Sequence, residues 1–422
     1  MNYSIIVKED CATCQLVVPV IKQLQTDDEL TIYSQDNVQF PAGVSVIDDT
    51  ELEYSWRRRI ETVPTLIKFD VNGAEISRVV GWDKNEWQVL TGRPLGFDLP
   101  NFRPGCGSKS VDPGMPEKLS ARFDRDKLQS RQVSVSTEED DIEACYERGW
   151  SDGLPVVPPT AERVMRMLTG TSRSPEEVVG IVPPDLVTCT IEKIAINAVL
   201  AGCKPEYLPV VIASVEAALQ DEFCMHGLLA TTYYSGPLVI VNGPLSRAIG
   251  MNSRGNVLGQ GNRANATIGR ALQLVIRNVG GGKPGGVDRS AFGNPGKYTY
   301  CFAEDETNSC WESLAVEKGF SETASTVTLF AADGMQGIVD QKSRDPESLS
   351  RSFAAALRVV GHPKMILASD AILVVSPEHE RIYRQAGWAK QDVKNYLNKI
   401  LTIDGAELVA GAGGIAEGIP AK

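Results

Sequence analysis

The 422-residue chain has no apolar run of the roughly 18–20 residues needed to cross a bilayer. Its first residues, Met1 to Cys14, hold no basic region followed by an apolar stretch, so no export signal is expected. Positive charge is in deficit. The 42 Lys and Arg against 54 Asp and Glu leave a net charge of −12. That balance argues against a sequence-independent nucleic-acid binder, which needs a cationic face for phosphates. It argues equally against attachment to anionic membranes. Histidine is scarce, with three in all, and no second Cys-x-x-Cys or Cys-x-x-His accompanies the one beginning at Cys11. A complete structural zinc site is therefore not written in the sequence, although a half-site remains an alternative. Nine cysteines, an odd number without an export signal, do not suggest a structural disulfide framework. The thiols are left for chemistry or for small core positions. A cytoplasmic protein of two or three domains is expected, with no nucleic-acid and no membrane partner and no indication of oligomeric state.

The first hundred residues carry the sharpest pattern. Tyr3 to Lys8 reads as a short buried strand, Glu9 and Asp10 interrupt it, and Cys11-Ala-Thr-Cys14 follows. Gln15 to Leu24 then has helical apolar spacing. At a helix start, free N–H groups and the helix dipole stabilise a thiolate on the first cysteine. The second lies one turn on, within reach of a mixed disulfide formed by the first. Cys11 is thus expected to be the accessible attacking thiol and Cys14 the buried resolver. Residues 30–33 and 44–47 read as strands and 50–60 as a helix. Residues 62–69 read as a strand with Pro64 at its start, and 74–81 as its hairpin partner across Asn72-Gly73. A helix over 82–90 closes the unit. The order Cys-x-x-Cys, Val63-Pro64-Thr65, hairpin and helix resembles the thioredoxin family over about residues 1–93. The resemblance implies a redox-active dithiol and a cis Val63–Pro64 bond packed against it. Pro19 falls where that family often kinks its first helix, and Ala12-Thr13 replace its usual Gly-Pro. A thioredoxin-shaped adaptor without turnover is the alternative.

Residues 94–136 change character. Pro94, Pro100, Pro104, Pro113 and Pro116, with several glycines and a charged stretch from Arg122 to Lys127, read as an extended linker with little core. Within it, Cys106 lies between Gly105 and Gly107, flanked by Arg103 and Lys109. Glycine backbone N–H groups and the two cations would lower its pKa and expose a thiolate. Cys106 is a candidate nucleophile, or a relay between the dithiol and a distant site; a passive linker thiol is the alternative. Cys106-Gly-Ser is similar to the selenocysteine-Gly-Ser motif of some bacterial selenoproteins, where a selenol does reductive chemistry.

Residues 137–422 read as alternating helices and strands, so the fold class is α/β: an N-terminal thioredoxin-like domain, an extended linker and a larger C-terminal α/β domain. A helix is expected to start at Ser136/Thr137, with further helices at 160–169, 190–201, 205–219, 261–278, 346–360, 377–386 and 390–401. Strands are expected at 237–241, 298–302, 326–330, 365–368 and 372–375. The segment from Gly250 to Thr267 combines glycine, asparagine and arginine directly before a helix. Asn252, Asn256, Asn265, Arg263 and Arg270 are candidate contacts to an anionic substrate there; a capped turn cluster is the alternative. Gly259-x-Gly-x-x-Ala264 partly matches a dinucleotide fingerprint, and Cys224 with His226 offers two metal ligands, but neither makes a site alone. Glu304 is a candidate general acid or base, and His379, at a strand–helix edge, a candidate titratable group. Asp152 to Pro159, Arg263 to Arg270 and Pro295 to Glu304 resemble an uncharacterised bacterial protein family, which implies no known substrate.

The function expected from these residues is a thiol-dependent oxidoreductase. It would reduce or reductively cleave a small anionic substrate, with Cys11 and Cys14 resetting an active-site cysteine. No cofactor beyond the dithiol is required. A thioredoxin reductase or a low-molecular-weight thiol would supply electrons. A thiol-dependent lyase or sulfur-transferase, and a redox-regulated binding or scaffold protein, are the alternatives.

Overall fold

Asn2–Val7 (β1) is buried at every residue but the first, as a strand covered on both faces requires. It leads through Cys11 into Ala12–Asp27 (α1), a helix that continues past Pro19. Glu29–Ser34 (β2) and Ile47–Asp48 (β3) follow, each running parallel to its neighbour. Glu53–Arg57 (α2) then leads to Thr62–Val63 (β4), Pro64 and Thr65–Phe69 (β5). Glu75–Val80 (β6) returns across a turn in which Gly73 takes φ 81° and the Asp70 carboxylate accepts the N–H groups of Asn72 and Ala74. Trp82–Asp83 (β7) and Lys84–Thr91 (α3) close the run, with the Asp83 carboxylate capping α3. The sheet order is β3-β2-β1-β5-β6, with β5 antiparallel to both β1 and β6. The Val63–Pro64 bond is cis.

The computed structural model describes residues 2–27, 29–124, 128–136, 139–360, 370–402 and 404. The chain divides into two compact units, Met1–Arg131 with Thr160–Arg166, and Gln132–Pro159 with Met167–Lys422.

Over residues 95–123 the expected extended linker is corrected by the structure. Phe102–Arg103 (β8) pairs antiparallel with β7, and Cys106–Gly107 (β9) pairs antiparallel with β4. Leu95 is fully buried in the core built by β1, α1, β5 and α3, and Leu99 and Cys106 pack against it. The prolines also dock. Proline offers a carbonyl but no N–H, and here the carbonyls of Pro100 and Pro104 accept from Trp82 Nε1 and Thr13 Oγ1, both at 2.6 Å. Met115–Phe123 (α4) completes the stretch.

The second unit mixes helices and small sheets, as α/β architecture requires. It holds Asp141–Glu147 (α5), and the end of Ala161–Leu168 (α6) falls in it. The first of these helices starts later than expected, because Asp140 rather than Ser136 or Thr137 caps it. Val178–Val182 (β10) and Val187–Thr190 (β11) form a hairpin that periodicity does not show. Gly180 breaks the strand pattern where Leu219 packs, since a Cβ there would lie 2.7 Å from Leu219 Cδ1. Ile191–Ala201 (α7) and Leu208–Ala218 (α8) are buried apolar helices, followed by Met225–Ala230 (α9). Gly236–Asn242 (β12) is buried throughout and is followed by Pro244–Ala248 (α10) and Arg263–Asn278 (α11). Cys301–Ala303 (β13) pairs parallel to β12; Leu314–Glu317 (α12) then leads to Thr326–Ala332 (β14), antiparallel to it. Pro346–Val360 (α13), Pro377–Gln385 (α14) and Lys390–Ile400 (α15) share a core around Leu349, Phe353 and Tyr383. The expected strand at 372–375 is absent; Leu373 and Val375 pack against that core without pairing. The strand expected at 365–368 lies outside the described residues.

Candidate active site: three thiols beside strand β4

Cys11 ends the loop from β1 and its carbonyl accepts the first helical bond of α1, from Gln15 at 3.0 Å. Its Sγ therefore faces the free N–H groups of the helix start, with the Cys14 N–H at 3.3 Å. Cys14 is fully buried one turn on, its Sγ 3.5 Å from the Lys8 N–H. On the other side, Cys11 Sγ lies 3.6 Å from the Val63 carbonyl oxygen and 2.6 Å from Cys106 Sγ. That last separation is about half an ångström beyond a disulfide bond. No two cysteine sulfurs lie within disulfide-bonding distance.

The electrostatics favour one thiolate, on Cys11. Hydrogen bonding from Cys14 acts most strongly, against the cost of burial, and bonds from Cys106 and the Cys14 and Thr13 N–H groups add to it; together they pull Cys11 down to about 5. Burial pushes Cys14 up steeply, and the neighbouring Cys11 adds to this. Cys106 is also pushed up, by burial and then by its bond to Cys11. The expectation that Cys106 would be the thiolate is thus reversed. Burial acts most strongly on it and the neighbouring Cys11 sulfur adds to this, rather than Arg103 or Lys109.

Cys106 is placed by backbone pairing. Val63 faces Cys106 and Thr62 faces Gly107 in the β4–β9 ladder, and the Ser108 N–H continues it to the Glu61 carbonyl at 2.9 Å. Gly105 is needed for this approach, because a Cβ there would lie 2.4 Å from Thr62 Cγ2 and 2.8 Å from the Val63 carbonyl oxygen. Downstream, a buried clamp holds the segment. Gln35 Nε2 donates to Ser108 Oγ at 2.7 Å, Gln35 Oε1 accepts the Lys109 N–H at 3.0 Å, and Ser110 Oγ donates to the Ile60 carbonyl at 2.5 Å. Gln35 carries no sequence signal for this role, since it simply follows β2. The docked segment also corrects the expectation of an accessible Cys11, which is 3% exposed, while Cys106 is partly exposed.

The candidates in the second unit form no comparable centre. Arg270 is spent on Asp152, with bonds of 2.7 and 2.8 Å, and on the carbonyls of Leu154 and Pro155. Asn265 is buried and ties the Asn252 N–H and carbonyl to its own amide, while Asn252 and Asn256 bond within their loop. Asn262 caps α11, and Arg263 Nε bonds the Gly202 carbonyl at 2.9 Å. The segment is a capped turn cluster whose amides bond to its own backbone. Glu304 accepts from Asn242 Nδ2 at 2.6 Å and from the Leu314 N–H at 2.8 Å, which ties together the ends of β12, β13 and the start of α12. His379 Nε2 is bonded to the Asp340 carbonyl at 3.0 Å and its ring packs edge-on to Phe353. Cys203 and Cys301 are buried, and burial raises both thiols.

No protein-family model, no curated protein and no solved structure matches the chain. Among the described residues, no helix is long and apolar enough to cross a membrane.

Proposed function

We propose that the first unit is a thioredoxin-like thiol–disulfide oxidoreductase domain in which Cys106 is the exchange partner of Cys11 and Cys14 resolves the pair. Support for the fold reading comes from the β3-β2-β1-β5-β6 order and from the helix that opens at Cys-x-x-Cys between parallel β1 and β2. The observation that carries the functional reading is the 2.6 Å approach of Cys11 and Cys106 Sγ, fixed by the β4–β9 ladder.

The chemistry follows from which thiol holds a proton. When Cys106 is oxidised as a mixed disulfide, the Cys11 thiolate attacks Cys106 Sγ and the outer thiolate leaves. Cys14 then passes its proton to Cys106 as it attacks Cys11 Sγ. Cys106 returns as a thiol, and Cys11 and Cys14 are left as a disulfide. Two electrons have moved from the dithiol to the substrate, and a thiol reductant, either a small thiol or a reductase, must return them. A small anionic substrate handled by the second unit has less support, because Arg270 and the asparagines are occupied.

The test is a trapping experiment. Mild oxidation of Cys14→Ser should leave a Cys11–Cys106 disulfide, seen as one cross-linked peptide by non-reducing mass mapping. Pairing of Cys11 with any other cysteine, or no cross-link at all, overturns the assignment. A lyase or transferase would turn over without oxidising Cys11 and Cys14, which thiol counting after one turnover detects.

A further inference from the structure

The segment carrying Cys106 occupies the ground a substrate would need. An extended peptide can dock by adding a strand to an exposed strand edge, and a protein disulfide presented in that way would need such an edge beside Cys11. Here the available edge is β4, and its partner is the chain's own β9. The Gln35–Ser108–Lys109 clamp and the Thr13–Pro104 bond hold that partner on both sides of Cys106. Cys11 is closed off beneath it, and Cys14 lies deeper still. Of the three thiols only Cys106 has a partly exposed surface.

We infer that residues 103–110 are a resident occupant of the substrate edge, so that Cys106 meets the external substrate, and that this substrate is a low-molecular-weight disulfide rather than a protein disulfide. The inference rests on the oxidoreductase reading of the same three cysteines. The first step balances as follows. Cys106 attacks one sulfur of the small disulfide while its proton passes to the adjacent Cys11 thiolate. A Cys106 mixed disulfide forms and one small thiolate leaves. That thiolate, or water, takes the proton back from Cys11. Cys11 then attacks Cys106 Sγ and expels the second small thiolate, and Cys14 resolves as above. One disulfide has become two thiols, and Cys11 and Cys14 have become a disulfide.

The experiment mixes pre-reduced full-length protein with hydroxyethyl disulfide or with insulin, and follows thiol release and peptide masses over a single turnover. The wild type should consume hydroxyethyl disulfide at least tenfold faster than insulin. Cys11→Ser should accumulate the hydroxyethyl adduct on Cys106. Cys106→Ser should lose at least tenfold of the small-disulfide rate, and it should gain no insulin reduction, since the segment still covers Cys11. Gly105→Ala, which opens the edge, should raise insulin reduction. Insulin reduced by the wild type as fast as hydroxyethyl disulfide, or an adduct that appears first on Cys11, overturns the inference while leaving the oxidoreductase reading intact. Inertness of every form toward both disulfides overturns both.

Discussion

Adding one methyl group at Gly105 should uncover Cys11. Alanine at this position places Cβ 2.4 Å from Thr62 Cγ2 and 2.8 Å from the Val63 carbonyl oxygen, both closer than real contacts allow. The threonine methyl can rotate away, but the carbonyl is backbone and belongs to the ladder that positions Cys106. The strain is therefore relieved by moving the segment. Overpacking of this kind costs about 1–3 kcal/mol, which multiplies the undocked population by roughly 5- to 150-fold. If Cys11 is alkylated only when the segment lifts, its labelling rate rises by the same factor. The assay is pulsed iodoacetamide labelling of reduced protein, with the Cys11 peptide quantified by mass spectrometry. Gly107→Ala is the control, because a Cβ there meets nothing within 4 Å; its Cys11 labelling should stay within about twofold of wild type on the usual scale of surface substitutions. Equal labelling of Cys11 in wild type, Gly105→Ala and Gly107→Ala would show that the segment does not guard it.

The reaction of Cys106 with hydroxyethyl disulfide should rise with pH through a midpoint near 5 and then level off, because the Cys11 thiolate that accepts its proton is protonated below about 5. In Cys11→Ser the midpoint should move up toward the ordinary thiol range near ~8.5; an unchanged profile would remove Cys11 from that step. Arg270→Ala should lower stability by about 3 kcal/mol in urea, since it leaves a mostly buried Asp152 carboxylate unpaired. For Asp152, burial raises the pKa but the bond to and charge of Arg270 outweigh it, leaving it lowered. Its stabilisation is then present above the unfolded pKa and lost as pH falls through the folded one, so Asp152→Asn should flatten the acid limb of the stability curve; an unchanged limb refutes the pairing. Gln35→Leu should keep the fold of the first unit by circular dichroism yet raise Cys11 labelling, as the Ser108 and Lys109 bonds are lost; unaltered labelling would make the clamp irrelevant to docking.

What was legible in the sequence divides along a physical line. β1, α1, β5, β6 and α3 announced themselves because apolar spacing and an Asn-Gly turn encode them locally. The role of residues 95–123 did not, because proline and glycine have two meanings that composition cannot separate. In a free linker they deny regular structure. Here Pro100 and Pro104 present carbonyls to Trp82 and Thr13, and Gly105 lets two backbones meet. Asn252, Asn256 and Asn265 have their amides bonded within the protein, and a similar ambiguity hides this in the sequence. An amide that clamps its own loop and one that faces a substrate are the same residue type, and only the direction of the side chain differs. Glu304 sits at a strand end as expected, whereas His379 opens a helix with no strand before it, and their partners, the Leu314 N–H and the Asp340 carbonyl, lie 10 and 39 residues away in sequence.

The position of the proton decides how the three cysteines are used. Had Cys106 been the thiolate, as its flanking Arg103 and Lys109 suggested, it would attack unaided and Cys11 would only follow. With the charge on Cys11, the two sulfurs act as one unit: Cys11 holds the base, Cys106 holds the exposure, and neither has both. The same arrangement protects against side reactions. A low-pKa thiolate on an open surface would meet any oxidant or protein disulfide that reached it. While β9 is docked its neighbour is Cys106, at a high effective concentration. On the proposed reading, specificity would come from backbone pairing at Val63 and from the missing Cβ at Gly105 rather than from a pocket contoured to the substrate.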